Sequence, residues 1–237
     1  MLEIIDFSKR YKGGALAVDQ LNLKVEDGDI FGFIGPNGAG KTTTIRAIAG
    51  VLDFTQGEIK IGGLSIRENP VAAKQITAYI PDNPDIYNHL TGIQYLNFMG
   101  DMFGVDKVQR EERIKRFADD FEITENLGDL ISSYSHGMKQ KLVVTSALLH
   151  EPRLLVLDEP FVGLDPMATH TLKLIMSELC KQGSAVFFST HVLDVAEKLC
   201  NKIAIIKNGK LVACGNTADV KGDLSLEDVF LELIDNG

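Results

Sequence analysis

The sequence predicts an α/β protein in which helices flank a mainly parallel sheet. Three observations carry that expectation. Ile30-Phe31-Gly32-Phe33-Ile34 and Leu154-Leu155-Val156-Leu157 are short apolar runs of the kind that fills a sheet buried on both faces. Each gives way at its carboxyl end to a glycine-rich or acidic turn, where open α/β sheets place their chemistry. Near the N-terminus, residues 2–7 and the cleanly alternating residues 21–25 read as strands of a separate antiparallel sheet.

Composition narrows the function classes before any motif is read. A chain of 237 residues, 45% hydrophobic and 24% charged, buries a full core as one large domain or a domain with a lobe. A net charge of -9 argues against broad nucleic-acid binding, which wants a basic footprint. Cys180, Cys200 and Cys214 are odd in number and form no CxxC pair, so free, partly buried thiols are expected. The first residues carry no apolar signal-peptide core, and no run of about eighteen apolar residues spans a membrane.

In chain order, the first two strands enclose Tyr11-Lys12-Gly13-Gly14, a turn with an aromatic at its edge. Tyr11 is either a partly buried side chain or a flat face for a nucleobase. The strand at 30–34 then runs into Gly35-Pro36-Asn37-Gly38-Ala39-Gly40-Lys41-Thr42-Thr43, followed by a helix over 43–49. Gly35, Gly40, Lys41 and Thr42 stand at P-loop spacing between strand and helix, which makes this a site for the phosphates of a nucleoside triphosphate. Glycines let successive N–H groups turn inward around oxygen atoms, and the helix start adds its dipole. Lys41 reaches toward the β- and γ-phosphates, and the Thr42 hydroxyl toward Mg2+. The fold expected is therefore a P-loop NTPase core with a mainly parallel sheet. A third N-terminal strand at 58–61 completes an antiparallel β subdomain packed against it.

From Tyr79 the texture changes. Residues 79–85 are a proline-punctuated loop containing Asp82. A helix over 92–104 carries two apolar sets, Leu96, Met99 and Phe103 beside Tyr95, Phe98 and Met102. One set faces the protein; the other either accepts a partner helix or is buried within a small lobe. Residues 106–121 form a charged helix with Val108, Ile114, Phe117 and Phe121 available for burial. Ser132-Ser133-Tyr134-Ser135-His136-Gly137 breaks the pattern, and a helix starts near Met138; small residues at a helix start resemble a second anion site.

The acids Asp158 and Glu159 close the buried run at 154–157, and Pro160 biases Glu159 toward an extended backbone. Paired with the P-loop, Asp158 reads as a Mg2+ ligand and Glu159 as the group that polarises the attacking water. A further buried strand at 185–188 ends in Ser189-Thr190-His191, and His191 reads as a donor to the γ-phosphate. Asn208-Gly209 is a hairpin signal between strands at 203–207 and 210–213. Ser225 caps a final amphipathic helix with Leu226, Val229, Phe230 and Leu233 on one face.

Other P-loop proteins are set aside by what is missing: Asn201-Lys202-Ile203-Ala204 lacks the Asp of a guanine reader. The order of motifs instead resembles the ATP-binding cassette (ABC) ATPases over essentially the whole chain. Tyr11 matches the family's adenine-stacking aromatic, Gly35 to Thr43 its Walker A loop, and Leu154 to Asp158 its Walker B strand with catalytic Glu159. Gly163-Leu164-Asp165 matches the D-loop, His191 the switch histidine, and Tyr134-Ser135-His136-Gly137-Met138 falls where the Leu-Ser-Gly-Gly-Gln signature lies. The resemblance implies a single cassette over 1–237, with a catalytic core and β subdomain at 1–86 and 152–237 and a helical signature subdomain at 87–151.

It also implies a site. Lys41, Glu159 and His191 would be catalytic. Tyr11, Val18, Asn37, Gly38, Ala39, Gly40, Lys41, Thr42, Thr43, Ser135, Gly137 and Asp165 would hold ATP, and Thr42, Asp158 and Asp82 would hold Mg2+. Two cassettes, identical or different, would pack head to tail, each ATP lying between one P-loop and the partner's Ser135 and Gly137. The ending resembles export-type bacterial cassettes, which sit on the inner face of the cell membrane through a separate permease docked near residues 82–103. No nucleic-acid partner is expected. Two departures stand out: Tyr134, His136 and Met138 replace signature residues, with His136 offering a further donor, and Asp82 stands where the family has Gln. The competing expectations are a soluble cassette acting on a macromolecular complex, and a nucleotide-gated module without hydrolysis.

Overall fold

Two sheets meet at the P-loop. The computed structural model describes residues 1–235. The N-terminal half supplies β1 (Leu2–Arg10), β2 (Leu16–Val25), β3 (Ile30–Ile34), α1 (Lys41–Ile48), β4 (Gln56–Ile61), β5 (Leu64–Ser65), α2 (Pro70–Gln75) and β6 (Thr77–Ile80). An all-helical stretch follows: α3 (Gly92–Met102), α4 (Lys107–Asp120) and α5 (His136–Leu148). The chain then returns through β7 (Leu154–Asp158), α6 (Pro166–Lys181), β8 (Ala185–Thr190), α7 (Leu193–Leu199), β9 (Lys202–Lys207), β10 (Lys210–Asn216), α8 (Thr217–Lys221) and α9 (Leu226–Asp235).

The smaller sheet is antiparallel, in the order β2-β1-β4-β5. The larger has the order β10-β9-β3-β8-β7-β6 and is parallel from β9 to β6, with β10 added as a hairpin. Its strands are apolar on both faces because each face has its own cover. Leu154 and Val156 of β7, with Phe187 of β8 and Ile206 of β9, join α1 and the small sheet in one core. The intervening Leu155, Leu157, Phe188 and Ile205 join α5, α6 and the helical stretch in the other. The period-two alternation of strand side chains separates the two cores.

Several boundaries differ from expectation. Tyr79 and Ile80 belong to β6, paired in parallel with Val156 and Leu157, so the proline-punctuated loop begins at Pro81. Pro81 has no N–H to extend the ladder, which ends the strand there. Helix α5 begins at His136 rather than Met138, because Ser135 takes the capping position and accepts from the Met138 N–H at 3.2 Å. Val108 is 63% exposed, while Ile114, Phe117 and Phe121 are buried. On α3 the split is not the one the spacing gives: Tyr95 is buried beside Leu96, leaving Phe98 and Met102 exposed. The Asn208-Gly209 hairpin forms with both residues at positive φ, 49° and 79°. Its turn braces the P-loop, since the Gly209 N–H donates to the Ala39 carbonyl at 3.0 Å and the Gly209 carbonyl accepts from the Asp19 N–H at 2.8 Å.

Candidate active site

The carboxyl ends of β3, β7 and β8 lie side by side, and the P-loop, the Asp158-Glu159 turn and His191 project from that edge. Two P-loop glycines are set by close approach. A Cβ on Gly35 would fall 2.4 Å from the Ile206 carbonyl oxygen, and one on Gly40 would fall 2.6 Å from that of Ala17. Gly40 is also at φ 109° as the capping residue of α1, which has no side-chain cap hydrogen bond. The first donors of α1 are thus left for a ligand, next to the positive end of the helix dipole. Asn37 and Gly38 are exposed at the loop tip, whereas Ala39, Gly40 and Lys41 are buried.

Lys41 Nζ donates to the Gly35 carbonyl at 2.6 Å and the Pro36 carbonyl at 3.3 Å, and lies 3.9 Å from Glu159 Oε1. Burial pulls its pKa down, opposed by the nearby carboxylates of Glu159 and Asp158. Asp158 is 1% exposed. Its Oδ1 accepts from the Ser189 hydroxyl at 2.5 Å, but its Oδ2 is buried without a partner. Burial raises the Asp158 pKa, hydrogen bonds from Ser189 and Thr42 lower it, and the charges of Asp82 and Glu159 raise it further. A desolvated ammonium beside a desolvated carboxylate with an orphaned oxygen is relieved by a polyphosphate on one side and a cation on the other. Among the described residues no three His, Cys, Asp or Glu side chains close around a metal.

Glu159 is not extended. It sits at φ 47°, with its N–H donating to the Ser189 hydroxyl at 3.1 Å and its carbonyl accepting from the Val162 N–H at 3.2 Å. These two hydrogen bonds override the bias of Pro160 and fix a sparsely populated backbone at the end of the strand. The carboxylate is aimed between two groups, with His191 Nδ1 at 3.0 Å and Lys41 Nζ at 3.9 Å from the same Oε1.

The remaining site candidates are dispersed around this centre. The Tyr11 hydroxyl lies 3.2 Å from Thr43 Oγ1, with the ring 45% exposed. Val18 is wholly buried; its Cγ2 lies 3.1 Å from where a Cβ on Gly40 would stand, so it supports the loop from beneath. Asp82 is exposed at the end of β6 and accepts from the Asn83 N–H at 2.9 Å. Ser135 and Gly137 start α5, and Asp165 caps α6 by accepting from the Ala168 N–H at 2.8 Å.

A family model described as "ABC transporter" matches residues 18–162. The chain belongs to the ABC transporter family of ATPases. It is 35% identical over 98% of its length to the Bacillus subtilis "ABC-type transporter ATP-binding protein EcsA", covering 96% of that protein. It is 33% identical over its full length to the B. subtilis "Linearmycin resistance ATP-binding protein LnrL", covering 76% of it. A solved "ATP binding subunit of ABC transporter" superposes with a TM-score of 0.94 at 34% identity, covering 98% of this chain and 99% of the other.

Two residues of this cassette escaped the sequence reading. Ser189 holds both Asp158 and the Glu159 backbone, and its signal was a hydroxyl directly after the apolar run at 185–188, inside a fully buried strand. Lys141 pairs with Asp165 across 2.8 Å, and only the tertiary contact distinguishes it from any other helix lysine.

Proposed function

We propose that the chain is the ATP-hydrolysing subunit of an ABC exporter, working as one of two cassettes that close on two ATP molecules. The observation that carries this is the alignment of Lys41, Glu159 and His191 beside the uncapped start of α1. ATP binds with its phosphates along the P-loop N–H groups and Lys41, and with its base on Tyr11. Mg2+, held by Thr42 and Asp158 with Asp82 close by, would neutralise charge on the β- and γ-oxygens. Glu159 orients a water in line with the γ-phosphate and takes its proton, while His191 holds the carboxylate and donates toward the phosphate.

The site is half built from one chain. Ser135 and Gly137 stand at the start of α5, the last of the inserted helices. Their free donors cap the γ-phosphate of a second cassette in a head-to-tail pair. The division into a core at 1–86 and 152–237 with a helical lobe at 87–151 is supported by the direct pairing of β6 with β7, which makes everything between them an excursion. Tyr87, Phe98 and Met102 leave an apolar groove beside Met99, and a permease helix is the occupant we assign to it. No helix of the described residues is long and apolar enough to cross a membrane, so a membrane location at the cytoplasmic face would come through that permease. Export is supported by the C-terminal resemblance and by a relative named for resistance.

Glu159→Gln tests the assignment. It should bind ATP yet accumulate as an ATP-dependent dimer on size-exclusion chromatography, with hydrolysis lowered at least about a hundredfold. Turnover at the wild-type rate would refute the role of Glu159.

A further inference from the structure

A second cleft lies at the far end of α1 from the P-loop. It encloses about 310 Å3 between the end of α1, the β4–β5 hairpin and α2. The helical rise from Lys41 to Ile48 sets it roughly 10 Å from the phosphate cradle. Ile48, Leu52, Phe54, Ile61 and Ile66 form its apolar wall. That wall is continuous with the core of the small sheet. Ile48 and Ile61 are each 1% exposed, and the Phe54 ring meets the buried Phe7 ring edge-on with centroids 5.1 Å apart. Side chains anchored in a close-packed core do not collapse into the opening, so the cleft is preformed.

The polar side of the cleft is cationic. The Arg67 guanidinium lies 4.0 Å over the Phe54 ring, and its Nη2 donates to the Phe54 carbonyl at 2.6 Å. These two contacts fix the head and leave most of its donors for a ligand. Lys74 reaches the same opening from α2. Its stem lies against Gly50, where a Cβ would stand 3.1 Å from Cε and 3.7 Å from Nζ. Among the described residues neither cation pairs with a carboxylate, and Asp53 is the one acidic residue of the lining. The Thr77 hydroxyl, the neutral polar side chain there, is already spent on the Ala73 carbonyl at 2.8 Å. The groove beside Met99 differs in kind, since Asp85, Tyr87, Phe98 and Met102 line it with no cation.

We propose that this cleft binds a small organic anion, a carboxylate or phosphate head on a single short apolar body, taken up free from solution. Lys74 and the remaining donors of Arg67 hold the head by charge-assisted hydrogen bonds, and the body lies against Ile48, Phe54 and Ile61. Two cations without a protein carboxylate select an oxyanion over a neutral or cationic head. The volume stands at the lower end of the ~300–1,000 Å3 of small-molecule sites, room for one such body and not for the two long chains of a membrane lipid. The site needs no second cassette and no permease, so it stands apart from the reading of the ATP site.

Calorimetric titration of the full chain with decanoate tests it, with decyltrimethylammonium as the apolar body without the anion and inorganic phosphate as the anion without the body. Decanoate should bind one per chain with a Kd of roughly 0.1–1 mM, in proportion to its size, and the other two at least about tenfold more weakly. Amide resonances of Gly50, Phe54 and Ile66 should shift during the titration. Lys74→Glu should weaken decanoate at least about tenfold, and Lys74→Arg should keep the affinity within about threefold. Lys74 is exposed, so both variants fold, which equal melting temperatures verify. Phosphate binding as tightly as decanoate would make this a plain anion patch, and equal binding of decyltrimethylammonium an unselective apolar one; either overturns the proposal. So does decanoate affinity unchanged in Lys74→Glu. Flotation with phosphatidylglycerol vesicles that depends on Lys74, without decanoate binding, would assign the cations to a lipid surface and overturn the free acid.

Discussion

His191 Nδ1 stands 3.0 Å from Glu159 Oε1, and the same oxygen lies 3.9 Å from Lys41 Nζ. Two side chains from beyond the ends of β8 and β3 thus converge on one carboxylate oxygen just past the end of β7, the strand beside β8. His191 is the closer of the two partners, so it decides where the base points. Replacing it with Ala should lower kcat by about 10²-fold with KM for ATP nearly unchanged, because positioning of the base acts on the transition state rather than on binding. Steady-state kinetics with an ATP titration check the split. A rise in KM with kcat intact would make His191 a binding residue instead.

Asp158 should make the nucleotide-free protein less stable than it would be without the charge. Its folded pKa is raised, chiefly by burial. Below the ordinary carboxylate pKa both folded and unfolded forms are protonated, and no stability is lost. As pH rises through the raised folded value, the folded state must ionise a buried carboxyl and stability falls. Asp158→Asn should therefore melt about 2–4 °C higher than wild type at pH 7 without nucleotide, corresponding to ~1 kcal/mol, while losing Mg2+-dependent hydrolysis. A lower melting temperature would show that the Ser189 hydrogen bond outweighs the buried charge.

His150 has the opposite sign. Its ring stacks on Phe103 with centroids 3.8 Å apart, its Nε2 lies 3.3 Å from the Thr77 carbonyl and its Nδ1 is buried without a partner. Burial lowers its pKa from 6.5 to about 4. The unfolded chain takes up a proton near 6.5 that the folded one refuses until about 4, so acidification through that window favours unfolding. On the order of 2 kcal/mol should be lost across it, and His150→Phe, which keeps the stack, should not lose that component. Urea melts at a series of pH values would measure the difference; parallel pH profiles would count against the assignment.

Gly35→Ala places a Cβ against the backbone oxygen of Ile206, 2.4 Å away, in a strand that cannot retreat from its own ladder. The P-loop must move instead. ATP affinity should drop at least about tenfold, with circular dichroism little changed and stability lowered by roughly 1–3 kcal/mol. Calorimetric titration decides it, and wild-type affinity would mean that the loop tolerates the shift.

Phe98 and Met102 are 41% and 53% exposed on α3, next to the half-exposed ring of Tyr87. Glutamate at both positions should abolish co-sedimentation with membranes bearing the permease, while stability changes by no more than about 0.5 kcal/mol per site. Retention on membranes would move the docking groove elsewhere.

The residue types of the chemistry were legible in sequence because they are local. A glycine loop between a strand and a helix, two acids after an apolar run and a histidine after another each follow from a few neighbouring residues. So did the two-sided sheet, since runs such as Leu154 to Leu157 have no polar face to show to water. Where local rules competed, the sequence misled. Pro160 argued for an extended Glu159, yet two hydrogen bonds hold it at φ 47°. The helical periodicity of α3 grouped Tyr95 with Phe98 and Met102, yet Tyr95 is buried with Leu96 while the other two are exposed.

The sequence by itself determined that this chain handles a nucleoside triphosphate on a mainly parallel α/β core, because strand burial and phosphate cradling depend on short patterns. Only the tertiary structure decided which groups meet. Ser189 reaches Asp158 across 31 positions, Lys141 reaches Asp165, and the Gly209 turn braces Ala39. Such contacts depend on strand order and helix placement, which are set by the packing of the whole core and by no single stretch of chain.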